Sequence, residues 1–201
     1  MTSVRDALTR YREETTGTAA VEIAIWLVVM VVPLLNVVDT GFYIYQRMQV
    51  ENAASAAAQS VWALCTSSTQ VPVTGGGCTN VGATAQAAAQ GTSLGTGVTL
   101  QTTSTTSYEN YFCTNNSGVL TAVGTASAIT NTTTKPTLSN SFANSSSPCS
   151  SAGSGFTGNT APPSDYVVIS VTATYHPLFP GATITNLFNS TITGVARTRM
   201  K

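Results

Sequence analysis

The strongest constraint in this sequence is an apolar run near its start. Between Arg12 and Arg47 there is no lysine or arginine, and Thr18 to Val38, TAAVEIAIWLVVMVVPLLNVV, is apolar at nearly every position. As a helix rising 1.5 Å per residue it would be about 31 Å long, which matches a hydrocarbon core of about 30 Å. One membrane span is therefore expected. At 201 residues the rest of the chain suffices for one modest extramembrane domain, and a multi-domain enzyme is disfavoured. Arg5, Arg10 and Arg12 precede the run, and only Arg47 lies close behind it. The positive-inside rule then leaves the N-terminus in the cytoplasm and the C-terminal part outside. Only 8% of residues are charged, far fewer than in an ordinary cytosolic protein.

Glu22 does not fit a plain span. A carboxylate at mid-membrane is unfavourable by roughly 2.5–3.5 kcal/mol, less near an interface. Read alone, it is a residue that stays wet at headgroup level. It is, however, the fifth residue after Gly17, in the order G-TAAVE, and charged residues stop just before that glycine. This arrangement resembles the cleavage site of type IV prepilins. The resemblance implies that a membrane-embedded prepilin peptidase cuts between Gly17 and Thr18 and leaves glutamate at the fifth position of the mature chain. Cleavage would remove the charged leader and create a cationic amine on Thr18. In a filament, Glu22 would then pair with such an amine on a neighbour, because a buried charge is tolerable only when paired. A cleaved signal peptide is the competing reading. Its apolar core is normally 7–15 residues, followed closely by a small-residue cut site. Here the run is longer, and the first Ala-x-Ala triplets lie only in Ala53–Ala58.

From Asp39 to Cys65 there is no proline and one glycine, Gly41, and good helix formers dominate after Gln46. The helix is expected to continue beyond the lipid as a rod of about 70 Å from Thr18 to Leu64, with a bend at Pro33. Tyr43 and Tyr45 fall where an outer aromatic belt belongs, and Trp26 lies nearer the inner side. Asp39, Gly41, Phe42, Tyr45, Gln46, Asn52, Ala53 and Ala54 resemble the pattern of the TadE-like family of tight-adherence pilus systems. That resemblance implies a minor pilin, pseudopilin or pilus assembly protein. Its partners would be the membrane, a prepilin peptidase, the major pilin, other minor pilins and the assembly platform. It would sit in the bacterial inner membrane as a single-pass protein, or outside the cell once assembled into a pilus. The small residues of NAASAAA let helices approach closely, and they serve equally well as plain helix filler.

Residues 66–164 carry only two charges, Glu109 and Lys135, among many Ser, Thr, Asn and Gly. TNTTTKPTLSNSFANSSSP lacks apolar periodicity and reads as loop. TNVGATAQAAAQG reads as a short helix, and YENYFC as a source of core aromatics. Cys65, Cys78, Cys113 and Cys149 all follow the span, and an even count outside the membrane indicates disulfides. Three connectivities are open, and the shorter closures, Cys65–Cys78 and Cys113–Cys149, are expected. A metal site is not, because there is no C-x-x-C and the single histidine, His176, is remote.

Tyr166–Tyr175 alternates cleanly, with Val167, Ile169, Val171, Ala173 and Tyr175 on one face and Ser170, Thr172 and Thr174 on the other. HPLFPG breaks this strand, TITNLF reads as a short helix or turn, and STITGVARTRMK reads as a second strand. The strand, PLFP turn and basic final strand again resemble the TadE-like pattern. The expected fold class is α+β and membrane-anchored: a long N-terminal helix with a small antiparallel sheet packed on its exposed half. The expected division is a leader at 1–17, a span at 18–38, a helical extension at 39–65, a disulfide-containing region at 66–164 and a β module at 165–201.

No constellation for catalysis surrounds His176. TGGGC lacks the lysine and helix of a phosphate loop. A net charge of +0 argues against nucleic acid, and the cluster Arg197, Arg199 and Lys201 reads as a solvated chain end. No cofactor, small-molecule substrate or enzymatic activity is expected. The alternative function is an uncleaved, signal-anchored envelope protein with a binding ectodomain.

Overall fold

The computed structural model describes residues 15–179 and 190–200. The proposed leader up to Glu14, and the expected short helix or turn at TITNLF, lie outside the described residues. The chain falls into two compact units, one within Met1–Ile44 and His176–Asn189, the other within Tyr45–Tyr175 and Ser190–Lys201.

The first helix, α1, runs without interruption from Thr15 to Leu64, 50 residues including Pro33, or about 75 Å. In its second half Val50, Ala53, Ala54, Ala57, Ala58 and Val61 are all buried. Their i, i+3, i+4, i+7 spacing puts them on one face. Asn52, Ser55, Gln59 and Trp62 lie exposed on the other side. The run NAASAAA is thus a packing face in this protein. Its use is visible at Gly194, where an added Cβ would stand 2.6 Å from the Val50 carbonyl oxygen and 2.8 Å from its carbon. Only a glycine lets a strand lie this close to the helix backbone.

That strand, β8 (Thr191–Arg199), pairs antiparallel with β7 (Ser164–Thr174) from Tyr166↔Arg199 to Thr174↔Thr191. The expected C-terminal strands are therefore both present. The sheet extends into the middle region, because the far edge of β7 is shared by two earlier strands. β1 (Val98–Leu100) pairs with residues 171–173, and β2 (Tyr108–Thr114) pairs with residues 164–168. Between them the ladder is completed by a side chain: Ser107 Oγ accepts from Ser170 N at 2.9 Å and donates to Ser170 O at 3.2 Å. One hydroxyl acts as both donor and acceptor for a residue that pairs with β8 on one edge and falls between β1 and β2 on the other. β3 (Leu120–Ala122) and β5 (Ser127–Ala128) continue the sheet from β2. β4 (Gly124–Thr125) and β6 (Thr137–Leu138) form a separate pair.

The short helix expected in TNVGATAQAAAQG is α2 (Val81–Gln90), with Val81, Ala85 and Ala89 buried. Its Gln86 side chain covers the open edge of β1, donating to Val98 O at 3.0 Å and accepting from Leu100 N at 2.6 Å. An exposed strand edge is a template for unwanted pairing, and here an amide side chain occupies it.

The alternation of β7 into two faces holds, and its polar face is itself partly covered. Ser170 is buried, as is its same-side neighbour Val168, so β7 is covered on both faces over this stretch. Asn110 and Phe112 of β2 lie buried on that second face. The alternation of Tyr166–Tyr175 alone marks it as the outward one.

Both disulfides join near neighbours in sequence, Cys65 to Cys78 and Cys113 to Cys149. The second is embedded in a cluster with Val123 and Phe142. The Ser/Thr/Asn-rich loop is mostly irregular and is held by side chains: Asn131 Oδ1 accepts from Thr133 N and Thr134 N, each at 2.9 Å, and Asn144 Oδ1 accepts from Ser146 N at 2.9 Å. Such side-chain turns are what Asn and Ser supply in place of a ladder.

Candidate functional site

The first candidate surface is the N-terminal half of α1. Most of its apolar side chains from Val21 to Val38, Ile23, Trp26, Leu27 and Met30 among them, are exposed, and the most apolar stretch is wholly unburied. A helix that is apolar all round and uncovered by its own chain is built for a nonaqueous surround, either lipid or other helices. Such a single N-terminal helix supports membrane anchoring.

Gly17 and Thr18 lie in the first turns of α1, which begins at Thr15. Glu22 is exposed one turn further on, flanked by the exposed side chains of Val21 and Ile23. No lysine or arginine follows in sequence before Arg47, which is exposed and pairs locally with Glu51 at 3.4 Å. The polar residues at the far end of the apolar stretch are satisfied within the helix. Asn36 Nδ2 donates to Val32 O at 2.7 Å, and the Thr40 hydroxyl donates to Asn36 O at 2.7 Å. Back-bonding to the i−4 carbonyl is how such side chains enter an apolar setting.

Asp39, one residue past the apolar run, is fully buried. Its Oδ1 accepts from the backbone N–H of Leu178, in the segment that follows β7, at 2.9 Å. The two residues are 139 apart in sequence. The sequence marks Asp39 as part of a family-like pattern but carries no signal for this contact.

In the ectodomain the structure reveals a pair of acids that no motif announces. Glu109 of β2 is buried, and its carboxylate accepts from Val73 N at 2.5 Å, Thr74 N at 2.7 Å and the Thr74 hydroxyl at 2.6 Å. It thereby fixes the Cys65–Cys78 loop to the sheet. Three charge-assisted bonds offset the cost of burying a charge. Glycines make this loop possible: Gly75 and Gly76 have φ of 66° and 85°, and a Cβ on Gly77 would collide with the Pro72 carbonyl oxygen. TGGGC is thus a tight turn held by a carboxylate.

Asp165 is the second acid. Glu109 is in register with Val167, and Tyr111 with Asp165, so all three polar side chains share one face of the sheet. Both Asp165 carboxyl oxygens are buried without a hydrogen-bond donor. Burial, and after it the charge of Glu109 on the same face, push the Asp165 pKa up to about 9. The direction of the shift favours the neutral carboxylic acid at Asp165, the form that lowers the cost of burying two acids on one face. Tyr111, beside them, is raised to about 12 by burial and by both acids. A cavity of about 350 Å³ opens next to Tyr111, Pro72, Pro163 and Arg199.

His176, the lone histidine, is exposed. Among the described residues, no three His, Cys, Asp or Glu side chains gather to hold a metal.

Residues 17–59 match the family model described as TadE-like protein. The match covers the start of the apolar run, Glu22, Asp39 and most of the buried alanine face. It identifies a TadE-like segment and supports a protein associated with the tight-adherence pilus. The family is a pilus-associated structural one and not a family of enzymes. No curated protein and no solved structure matches the chain.

Proposed function

We propose, from the TadE-like segment and its placement, that this chain is a minor pilin or pseudopilin, or an assembly protein, of a tight-adherence type IV pilus or related secretion system. One observation carries the reading: an uncovered apolar helix, with Gly17 and Glu22 at its N-terminal end, continues without a break into a folded, disulfide-bonded domain. A prepilin peptidase cuts after Gly17, the apolar helix holds the mature chain in the inner membrane with its C-terminus outside, and Glu22 pairs with a subunit's new N-terminal amine during assembly. The chain acts by assembling with the major pilin, other minor pilins and the platform, and is a substrate of the peptidase with no catalysis of its own.

The second reading, an uncleaved signal-anchored envelope protein with a binding ectodomain, is favoured by the helix starting at Thr15 and running through the Gly17–Thr18 bond. The mature N-terminus separates the two. Intact mass and terminal peptide sequencing of protein from its native host should find a chain beginning at Thr18. A chain that retains Arg5–Gly17 would establish the anchor reading instead.

A further inference from the structure

The segment after β7 has a composition that a water-exposed loop does not need. From His176 to Ala196 the sequence carries no lysine, arginine, aspartate or glutamate, and Arg197 is the first charge to follow. Within it Pro177 and Phe179 are half-buried, and Leu178 is 48% exposed. A single exposed leucine is ordinary on a soluble surface, so exposure alone decides nothing. Its position along α1 does.

Leu178 N donates to Asp39 Oδ1 at 2.9 Å, and Asp39 is the residue immediately after the apolar run. If Thr18–Val38 fills the hydrocarbon, Asp39 stands about 1.5 Å beyond its last residue along the helix axis, at the start of the headgroup layer. Val37 and Val38, 72% and 46% exposed, present apolar surface at the same level. Irregular backbone resting at the edge of the hydrocarbon competes for little water on its lipid side, so a protein acceptor for its N–H groups favours that position. A fully buried aspartate that accepts a loop amide is such a group.

We infer that the Pro177–Phe179 turn is a second membrane contact, resting in the lipid interface on the ectodomain's side of the bilayer with Asp39 setting its depth. The inference rests on the membrane-anchoring reading of α1. The ligand is the glycerol and upper acyl region of lipid, met by the Leu178 side chain. Two points of contact, one spanning and one interfacial, would restrict how the chain pivots about its span.

The four native cysteines are all in disulfides, so a single introduced cysteine can be labelled selectively. Full-length L178C carrying a nitroxide is reconstituted in phosphatidylethanolamine/phosphatidylglycerol vesicles, beside V28C in the span and V119C on the exposed ectodomain. Relaxation by oxygen, which partitions into lipid, is compared with relaxation by a water-soluble nickel chelate. The inference expects oxygen to dominate at 178, as at 28, and nickel to dominate at 119. Nickel dominance at 178 with oxygen dominance at 28 overturns the turn's lipid contact and leaves anchoring intact. Nickel dominance at 28 overturns the anchoring reading, and the inference with it. Adding D39A should move the label at 178 toward the nickel chelate; an unchanged ratio would remove Asp39 from the depth-setting role.

Discussion

Asp165 and Glu109 lie buried on one face of the sheet, on adjacent strands, and burial together with the charge of Glu109 disfavours ionisation of Asp165. Glu109 accepts from the Val73 and Thr74 donors, whereas both Asp165 oxygens are buried without a hydrogen-bond partner. Because the folded-state pKa of Asp165 is raised from 3.8 to about 9, the folded protein binds the Asp165 proton more tightly than the unfolded one. The stabilising contribution is complete below the unfolded pKa, falls as pH rises through the interval, and is lost above the folded pKa.

Asp165→Asn tests this. The amide is uncharged at every pH, so the variant should be more stable than the parent at pH 8 by about 1–3 kcal/mol. Its stability should also vary less between pH 5 and pH 9. Urea unfolding of the full-length protein in detergent, followed by circular dichroism across that range, reads both. Parallel pH profiles for parent and variant would show that folding does not raise the Asp165 pKa.

Gly194→Ala should weaken the ectodomain, because its methyl would stand 2.6 Å from the Val50 carbonyl oxygen and 3.0 Å from Glu51 N. Both are backbone atoms that cannot rotate away, so β8 must lift from α1. A cost of about 1–3 kcal/mol is expected for such overpacking. Val195→Ala, at the exposed neighbouring position, should change unfolding little. The comparison isolates the close approach from any general sensitivity of β8.

The limits of sequence reading show in these same residues. The apolar helix, its continuation through Pro33 and the strand at Tyr166–Tyr175 are legible because each is written in a local run or periodicity. The acid pair is not. Glu109 and Asp165 are far apart in sequence, and Glu109 stands in a charge-poor region where a lone carboxylate reads as solvated. Only the β2–β7 register brings them together. Ser170 misleads for a related reason: alternation reports the polarity of a side chain, while its burial depends on what β2 and its neighbours place on that face. The buried alanines of NAASAAA carry the right periodicity, but alanine suits filler and packing equally. Gly194, the residue that shows what those alanines are for, lies near the other end of the chain.

Removing either disulfide should destabilise the ectodomain, and unequally. Cys113–Cys149 closes a separation of 36 residues and Cys65–Cys78 one of 13. The longer closure restricts the unfolded chain more, and its sulfurs also sit among Val123 and Phe142. The C113S/C149S pair should lose about 3–4 kcal/mol and C65S/C78S about 2–3 kcal/mol, within the range for native disulfides. Thermal unfolding of the two double variants ranks them; a larger loss for C65S/C78S would assign the greater role to the Glu109-held loop.

Gly17→Ala and Glu22→Ala separate processing from assembly. If glycine specifies the cut, Gly17→Ala should accumulate as the full-length precursor, visible as a mass increase by the leader. Glu22→Ala removes an exposed carboxylate from the start of an apolar helix, which lowers the cost of placing that turn in lipid. Membrane insertion should therefore be intact or improved. What the variant loses is the partner for a neighbouring amine, and an amine left unpaired within a filament is strongly unfavourable. The amount of this protein recovered with sheared pili should fall severalfold relative to the membrane fraction. Undiminished recovery of Glu22→Ala in pili would show that the carboxylate is an interfacial residue and that assembly rests on the apolar surface of α1 alone.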